Sequence, residues 1–382
     1  MQAPTLAAHG TDPGTVVAPT GTAPFVLSRP HGTVVGDGVA DRWSCVGDAA
    51  AALRAGTVRA VVGALPFDPD HPAALTAPHV LTHAAAPITD PGIALPRTGI
   101  DAALPSEREH VDRITTALTR LCSDDDLVKV VLARTLVLRA DRPVTAGQLL
   151  HRLAGNDPHG NAFAVDLSPA GGSSRGRYLV GASPEVLVRR HGDRVTAHPL
   201  AGSAPRHTDP EIDRRTGAEL TASTKNLTEH AHVVADLRAS LEPLCIELDI
   251  PDRPTLTSTR QLWHLGTPVC GRLRDPAVTA LDLAVAVHPT PAVCGTPTVA
   301  ARELIRELEG DRGFYAGAIG WCDAAGDGEW MVAIRCAVLD PDGRTITAHA
   351  GGGIVAESDP DDELAETTTK FGTVLDALAV HR

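Results

Sequence analysis

Gly317-Ala-Ile-Gly-Trp-Cys-Asp-Ala-Ala-Gly-Asp-Gly-Glu-Trp-Met-Val-Ala-Ile-Arg335 is the stretch whose reading decides the architecture. Residues 317–321 and 330–335 each read as a short β-strand, and 323–328 between them has the Gly and Asp content of a hairpin loop. A hairpin makes its two strands antiparallel, whereas parallel neighbours need a crossover of a dozen or more residues. Working outward, 128–134 (Val-Lys-Val-Val-Leu-Ala-Arg) and 178–183 are also strand-like. Helical spacing appears at 107–121, through Val111, Ile114, Leu118 and Leu121, and at 228–241, through Val233, Leu237 and Leu241. Further helices are expected at 300–308 and 361–378. Upstream, short β-type runs alternate with turns over 25–82, and 87–105 reads as an extended crossing segment rich in Pro and Gly. Interleaved helices and hairpin-linked strands indicate an α+β chain with an antiparallel-rich sheet. Residues 1–24, rich in Ala, Thr, Pro and Gly, form a loose extension in this reading.

At 382 residues and 43% apolar, the chain can bury a large core. Its formal net charge of −13 repels polyanions, and no basic run compensates, so nucleic acid is excluded as a partner. The seven cysteines are scattered without a Cys-x-x-Cys pair, which suggests reduced thiols in a cytoplasmic protein. The N-terminus lacks a signal-peptide pattern, and no apolar run is long enough to span a membrane.

Three local features carry possible chemistry. Glu363, Glu366 and Lys370 stand at i, i+3 and i+7 and share one helical face. Two carboxylates one turn apart suit Mg²⁺, and they equally suit a solvated Glu/Lys stripe. His349-Ala-Gly-Gly-Gly-Ile-Val reads either as a close backbone approach to a ligand or as a tight turn. Lys129, flanked by valines, is either a desolvated base or an outward-facing strand residue. The His pair in Thr228-Glu-His-Ala-His, at i and i+2, points to different sides of a helix and does not suit zinc. No nucleophile elbow and no glutaminase nucleophile is present.

Several ordered segments together resemble the chorismate-utilising enzymes, the group containing isochorismate, anthranilate, aminodeoxychorismate and salicylate synthases. They are Gly181-Ala-Ser-Pro-Glu-Val-Leu leading to Pro199-Leu-Ala-Gly-Ser, Lys225-Asn-Leu-Thr-Glu-His, Leu262-Trp-His-Leu-Gly-Thr, Asp311-Arg-Gly-Phe-Tyr-Ala-Gly, Ile334-Arg-Cys, Ala350-Gly-Gly-Gly-Ile-Val and the Glu363/Glu366/Lys370 helix. Within the group, His288-Pro-Thr-Pro-Ala-Val-Cys-Gly-Thr-Pro is similar to the isochorismate synthases. The resemblance implies an α+β chorismate-binding fold like that of anthranilate synthase component I, with two related sheet-and-helix halves around a central cleft. It further implies one catalytic domain over 25–382, with its motifs in 107–382.

The same resemblance implies a role for each residue. Glu229 and Glu366 would bind Mg²⁺, with Glu363 nearby or acting through water. Arg335, Lys370 and the backbone at Gly202 and Gly351 would receive the carboxylates of chorismate. Lys129 would deprotonate water attacking C2, and Glu185 would protonate the hydroxyl leaving C4. Burial suits both, since it favours a neutral lysine and a protonated glutamate. His264 and Ala292 would line the ring pocket. The reaction would be isomerisation of chorismate to isochorismate, for siderophore, menaquinone or other secondary metabolism. A salicylate synthase-type lyase or an amine-adding enzyme is the alternative on the same scaffold. No organic cofactor and no glutaminase subunit is expected, and the chain would act as a monomer. Asn226 departs from the Asp common beside the motif lysine, and three glycines replace the usual Gly-Ala-Gly.

Overall fold

The structure is a computed structural model that describes residues 23–90, 92–123 and 126–380. Two large antiparallel sheets stack face to face among the described residues. The larger runs in spatial order Gly295–Thr296, Lys129–Ala140, Thr345–Ile354, Cys336–Leu339, Tyr178–Gly181, Ala162–Asp166, Phe25–Arg29, Gly32–Asp37 and Val80–Ala84. Thr98–Leu104 also pairs with Lys129–Ala140. The second runs Cys245–Asp249, Val269–Leu273, Arg194–His198, Val186–His191, Gly328–Val332, Ala318–Asp323, Ala60–Leu65, Ala74–Ala77 and Asp41–Trp43. A small third sheet joins Leu200–Pro205, Leu262–Gly266 and Thr255–Ser258.

Burial explains the strand sequences. All five residues of Phe25–Arg29 are buried, because the large sheet is covered on both faces. Phe25 and Leu27 face the second sheet, where they join Val62, Ile319 and Trp330 in the main core. Val26 faces the other way, into a core completed by Leu149, Leu150 and Leu153 of helix Ala146–Asn156 and by Phe371, Val374 and Leu375 of helix Pro360–Ala377.

The expected hairpin is present: Ala318–Asp323 pairs antiparallel with Gly328–Val332, with Gly320 opposite Trp330. The strand expected at 330–335 ends at Val332, because the chain there leaves the second sheet and enters the first at Cys336. The expected helix at 228–241 starts at Thr224, where the Ser223 side chain accepts from the Asn226 N–H and caps it. Within the segment 87–105, read as extended, Thr98–Leu104 forms a strand. The extension assigned to 1–24 lies outside the described residues up to residue 22. Ala23 is already buried, and the Pro24 carbonyl accepts from the Asp166 N–H. No helix among the described residues is long and apolar enough to cross a membrane.

Two links between the sheets matter most. Residues 182–185 carry the chain from Tyr178–Gly181 in the first sheet to Val186–His191 in the second, and 333–335 carry it back. They run side by side. The Ala182 N–H donates to the Arg335 carbonyl at 3.1 Å, and the Val332 N–H donates to the Glu185 carbonyl at 3.1 Å. The register shifts at Val186, directly after Glu185, so the strand bends as it enters the sheet.

Leu149 is fully buried in the second core. Leu149→Ala should cost about 2–5 kcal/mol of unfolding free energy in a urea titration. A change under about 1 kcal/mol would mean that this helix is not docked as described.

Candidate active site

The site grows from two neighbouring strands of the large sheet, Lys129–Ala140 and Thr345–Ile354, whose register sets Gly351, Gly352 and Gly353 opposite Ala133, Leu132 and Val131. The three glycines are strand interior, not a turn, so the second of the two sequence readings of that run does not hold. What they make room for is charged protein side chains. A Cβ on Gly353 would lie 2.5 Å from Glu229 Oε1 and 2.9 Å from Lys129 Cε. On Gly352 it would lie 3.1 Å from Glu363 Oε2, and on Gly351 2.9 Å from the Tyr315 hydroxyl oxygen.

Helix Pro360–Ala377 lies over this row, started by Asp359, whose side chain accepts from two N–H groups of the first turn. Its spacing brings Glu363, Glu366 and Lys370 toward the glycines, as expected, and the solvated-stripe reading fails because Glu363 is buried. Helix Thr224–Leu241 adds Glu229 and Lys225. Each carboxylate takes a lysine. Lys129 Nζ sits 2.9 Å from Glu229 Oε1, an ion pair without hydrogen-bond alignment. Lys225 Nζ donates to Glu363 Oε1 at 2.9 Å, which also accepts from the Ser358 hydroxyl at 2.7 Å. Lys370 Nζ donates to Glu366 and, at 2.8 Å, to the Gly351 carbonyl. Burial and then the adjacent Glu366 raise the Glu363 pKa. Burial acts the same way on Glu366, but Lys370, Lys225 and the Ser203 hydroxyl together hold that carboxylate below its ordinary value.

Facing this cluster is a cavity of about 70 Å³. Its wall includes Glu185, Gly202, Glu229, His264, Ala292, Arg335, Gly351, Glu366 and Lys370, so most of the residues expected from sequence converge there. Lys129 and Glu363 are not on the wall and lie behind it. Lys129 is wholly buried, which answers the question its sequence left open. It stands two residues from the wall residue Val131, on the same strand face.

Glu185 and Arg335 reach the cavity from the paired links between the sheets. Burial pushes the Glu185 carboxyl up to about 7, against the partial relief of an N–H bond from Leu200 at 3.3 Å. Arg335 is buried in the left-handed region, with φ at 52°, a strained conformation for a non-glycine residue. It makes no salt bridge among the described residues, and burial lowers its pKa. The buried His264 Nε2 has no hydrogen-bond partner. Burial, with Arg335 and Lys370 nearby, drives this imidazole well below its usual pKa and keeps it neutral.

Gly202 bulges its strand with φ at 79°, beside the Asn226 side chain. Asn226 itself donates to the Ser223 hydroxyl at 2.9 Å. His230 is a satisfied core histidine, bonded to the Ala201 carbonyl and the Thr267 hydroxyl. Among the described residues no group of three His, Cys, Asp or Glu side chains is gathered as a formed metal centre. The sequence reading passed over Lys225, Tyr315 and His349 as functional residues. Tyr315 and His349 stack at 5.0 Å between ring centres and form part of the wall. The buried carboxylates were the signal for Lys225, because each needs a counter-charge.

Comparison with known proteins agrees with this geometry. The family described as chorismate binding enzyme matches residues 93–379. A putative isochorismate synthase of Mycobacterium tuberculosis is 54% identical over 360 residues, covering 94% of this chain and 97% of the relative. An isochorismate synthase of Bacillus subtilis is 45% identical over 324 residues, covering 84% and 81%. The crystal structure of a putative 2,3-dihydroxybenzoate-specific isochorismate synthase from Bacillus anthracis superposes with a TM-score of 0.84 at 38% identity, covering 93% of this chain and 96% of that one.

The Glu185 shift has a defined sign. The carboxyl ionises near 4.5 when unperturbed and near 7 in the fold. Below the lower value both states are protonated; between the two the unfolded chain releases a proton that the folded chain keeps, and stability falls as pH rises. Glu185→Gln lacks this loss. It should gain on wild type by on the order of 2–3 kcal/mol between about pH 5 and pH 7 in denaturant titrations. Parallel pH profiles for the two proteins would contradict the assignment.

Proposed function

The chain belongs to the chorismate-binding enzymes, and we propose that within them it is an isochorismate synthase, converting chorismate to isochorismate. The observation that carries this reading is Glu185, a carboxyl poised near 7 in a cavity that also holds the cations Arg335 and Lys370. Replacing the C4 hydroxyl of chorismate by a hydroxyl at C2 needs an acid at the leaving oxygen and a base at the attacking water. Glu185 keeps its proton near neutral pH and serves as the acid. Lys129, buried on the strand face that reaches the wall at Val131, is the base in this reading.

Chorismate is a dicarboxylate. Arg335, free of salt bridges among the described residues, offers a bidentate fork to one carboxylate, and Lys370 a point charge. Gly202 and Gly351 let backbone approach closely, and neutral His264 and Ala292 border the ring. The strain at Arg335 fits a group held for binding at the expense of local comfort.

The donor set also fits Mg²⁺. Glu229, Glu363 and Glu366 all face the Gly352–Gly353 backbone, and Glu363 Oε2 is a buried carboxylate oxygen with no hydrogen-bond partner. A hard cation takes such oxygens, with Glu229 and Glu366 as ligands and Glu363 beside them. When bound, Mg²⁺ supplies charge neutralisation for the ring carboxylate of the substrate. The lysines now paired with these carboxylates hold the acidic cluster together in the free protein.

Pure protein incubated with chorismate and Mg²⁺ should yield isochorismate by chromatography; no such product, or pyruvate release in its place, would overturn the reading. Lys129→Ala should lower turnover about 10²–10⁴-fold with chorismate binding retained in calorimetry. Glu366→Gln should shift the Mg²⁺ activation curve to higher concentration. An unchanged curve would remove Glu366 from the ligand set.

A further inference from the structure

One edge of strand Lys129–Ala140 is incompletely paired. Gly295–Thr296 pairs with Val130 and Lys129, and Thr98–Leu104 pairs from Thr135 onward. Between them, among the described residues, no strand ladder covers 131–134 on that edge. The backbone groups there are nonetheless satisfied, as buried groups must be. The Val131 N–H donates to the Cys294 carbonyl at 2.8 Å. The Val131 carbonyl accepts from Arg312 Nη2 at 2.6 Å, and the Ala133 N–H donates to Glu309 Oε1 at 2.7 Å. Arg312 and Glu309 bond each other at 2.8 and 2.7 Å. A donor and an acceptor thus stand side by side, as a neighbouring strand would present them.

Arg312 also bonds the segment just before Gly295–Thr296. Its Nη1 donates to the Val293 carbonyl at 2.9 Å, and its guanidinium lies 4.6 Å over the Phe67 ring. Val131 and Val293 both line the cavity. One buried guanidinium therefore braces the strand bearing Lys129 against the segment bearing Ala292 and Val293, beyond the point where the Cys294 carbonyl already takes the Val131 N–H.

We propose that Arg312, held by Glu309, is a positioning residue that fixes the Lys129 strand against the Ala292–Val293 wall and so sets the approach of base to substrate. The proposal rests on the isochorismate synthase reading with Lys129 as base. Lysine cannot replace Arg312, since one ammonium on a flexible stem cannot hold two carbonyls and a carboxylate in a fixed fork. Arg312 makes its hydrogen bonds to Val131, Val293 and Glu309, and none of these is a residue expected to grip the substrate carboxylates.

The test is steady-state kinetics of Arg312→Lys with chorismate and Mg²⁺, normalised to folded protein by near-UV circular dichroism. The expected result is kcat lowered about 10–100-fold with KM within about threefold of wild type. Wild-type kcat per folded molecule, or an effect confined to KM, would overturn the positioning role. Should Arg312→Lys not fold, Glu309→Ala, which leaves both carbonyl bonds of Arg312 in place, is judged by the same kcat-against-KM split. Wild type assayed alongside separates the two claims. Absence of isochorismate from wild type sinks the function, whereas active wild type with unaffected variants sinks only the role of Arg312.

Discussion

The site depends on one constraint: ionised groups withdrawn from water must be paired. Glu229, Glu363 and Glu366 lie against one stretch of strand, the first two buried and Glu366 half-buried at the cavity wall. Lys129, Lys225 and Lys370 each answer one of them. Breaking a buried pair by removing one member costs several kcal/mol, because the survivor is left desolvated. The cluster is therefore interdependent. It needs the glycine row beneath it, since a single methyl at Gly353 would occupy the space of the Glu229–Lys129 contact.

The exceptions to pairing are as informative as the rule. Arg335 has no salt-bridge partner among the described residues, His264 Nε2 has no hydrogen bond, and Glu185 meets burial by keeping its proton rather than by acquiring a cation. Unsatisfied polar groups cost free energy in any protein interior, and natural structures concentrate them where a ligand completes the set. All three line the same cavity. His230, by contrast, is satisfied within the protein, by the Ala201 carbonyl and the Thr267 hydroxyl.

Much of this was legible in the sequence because periodicity and motif order survive folding. The helical spacing of Glu363, Glu366 and Lys370 put them on one face, and the hairpin at 317–335 gave the antiparallel sheets. Other features were not legible, for physical reasons. Whether Lys129 faces in or out depends on what covers the strand, which alternation cannot say. The glycine run allowed either a close backbone approach to a ligand or a turn, because three glycines in succession permit both; its pairing with residues 131–133 shows it to be strand. The partners Lys225 and Glu309 depend on contacts across more than a hundred residues of chain, which local pattern does not carry. Helix Thr224–Leu241 began earlier than its apolar spacing indicated, because its start is set by a serine cap.

The two links between the sheets, bonded to each other through the Ala182 and Val332 N–H groups, have a mechanical meaning. Packed sheets slide slightly on one another as a protein breathes, and residues borne on opposite sheets then change their separation. Glu185 and Arg335 are borne on neither sheet alone. They ride on adjacent rungs of a shared bridge, so sliding carries them together as a common displacement. The spacing between Glu185 and Arg335 is thereby set by the bridge and not by the relative position of the two sheets.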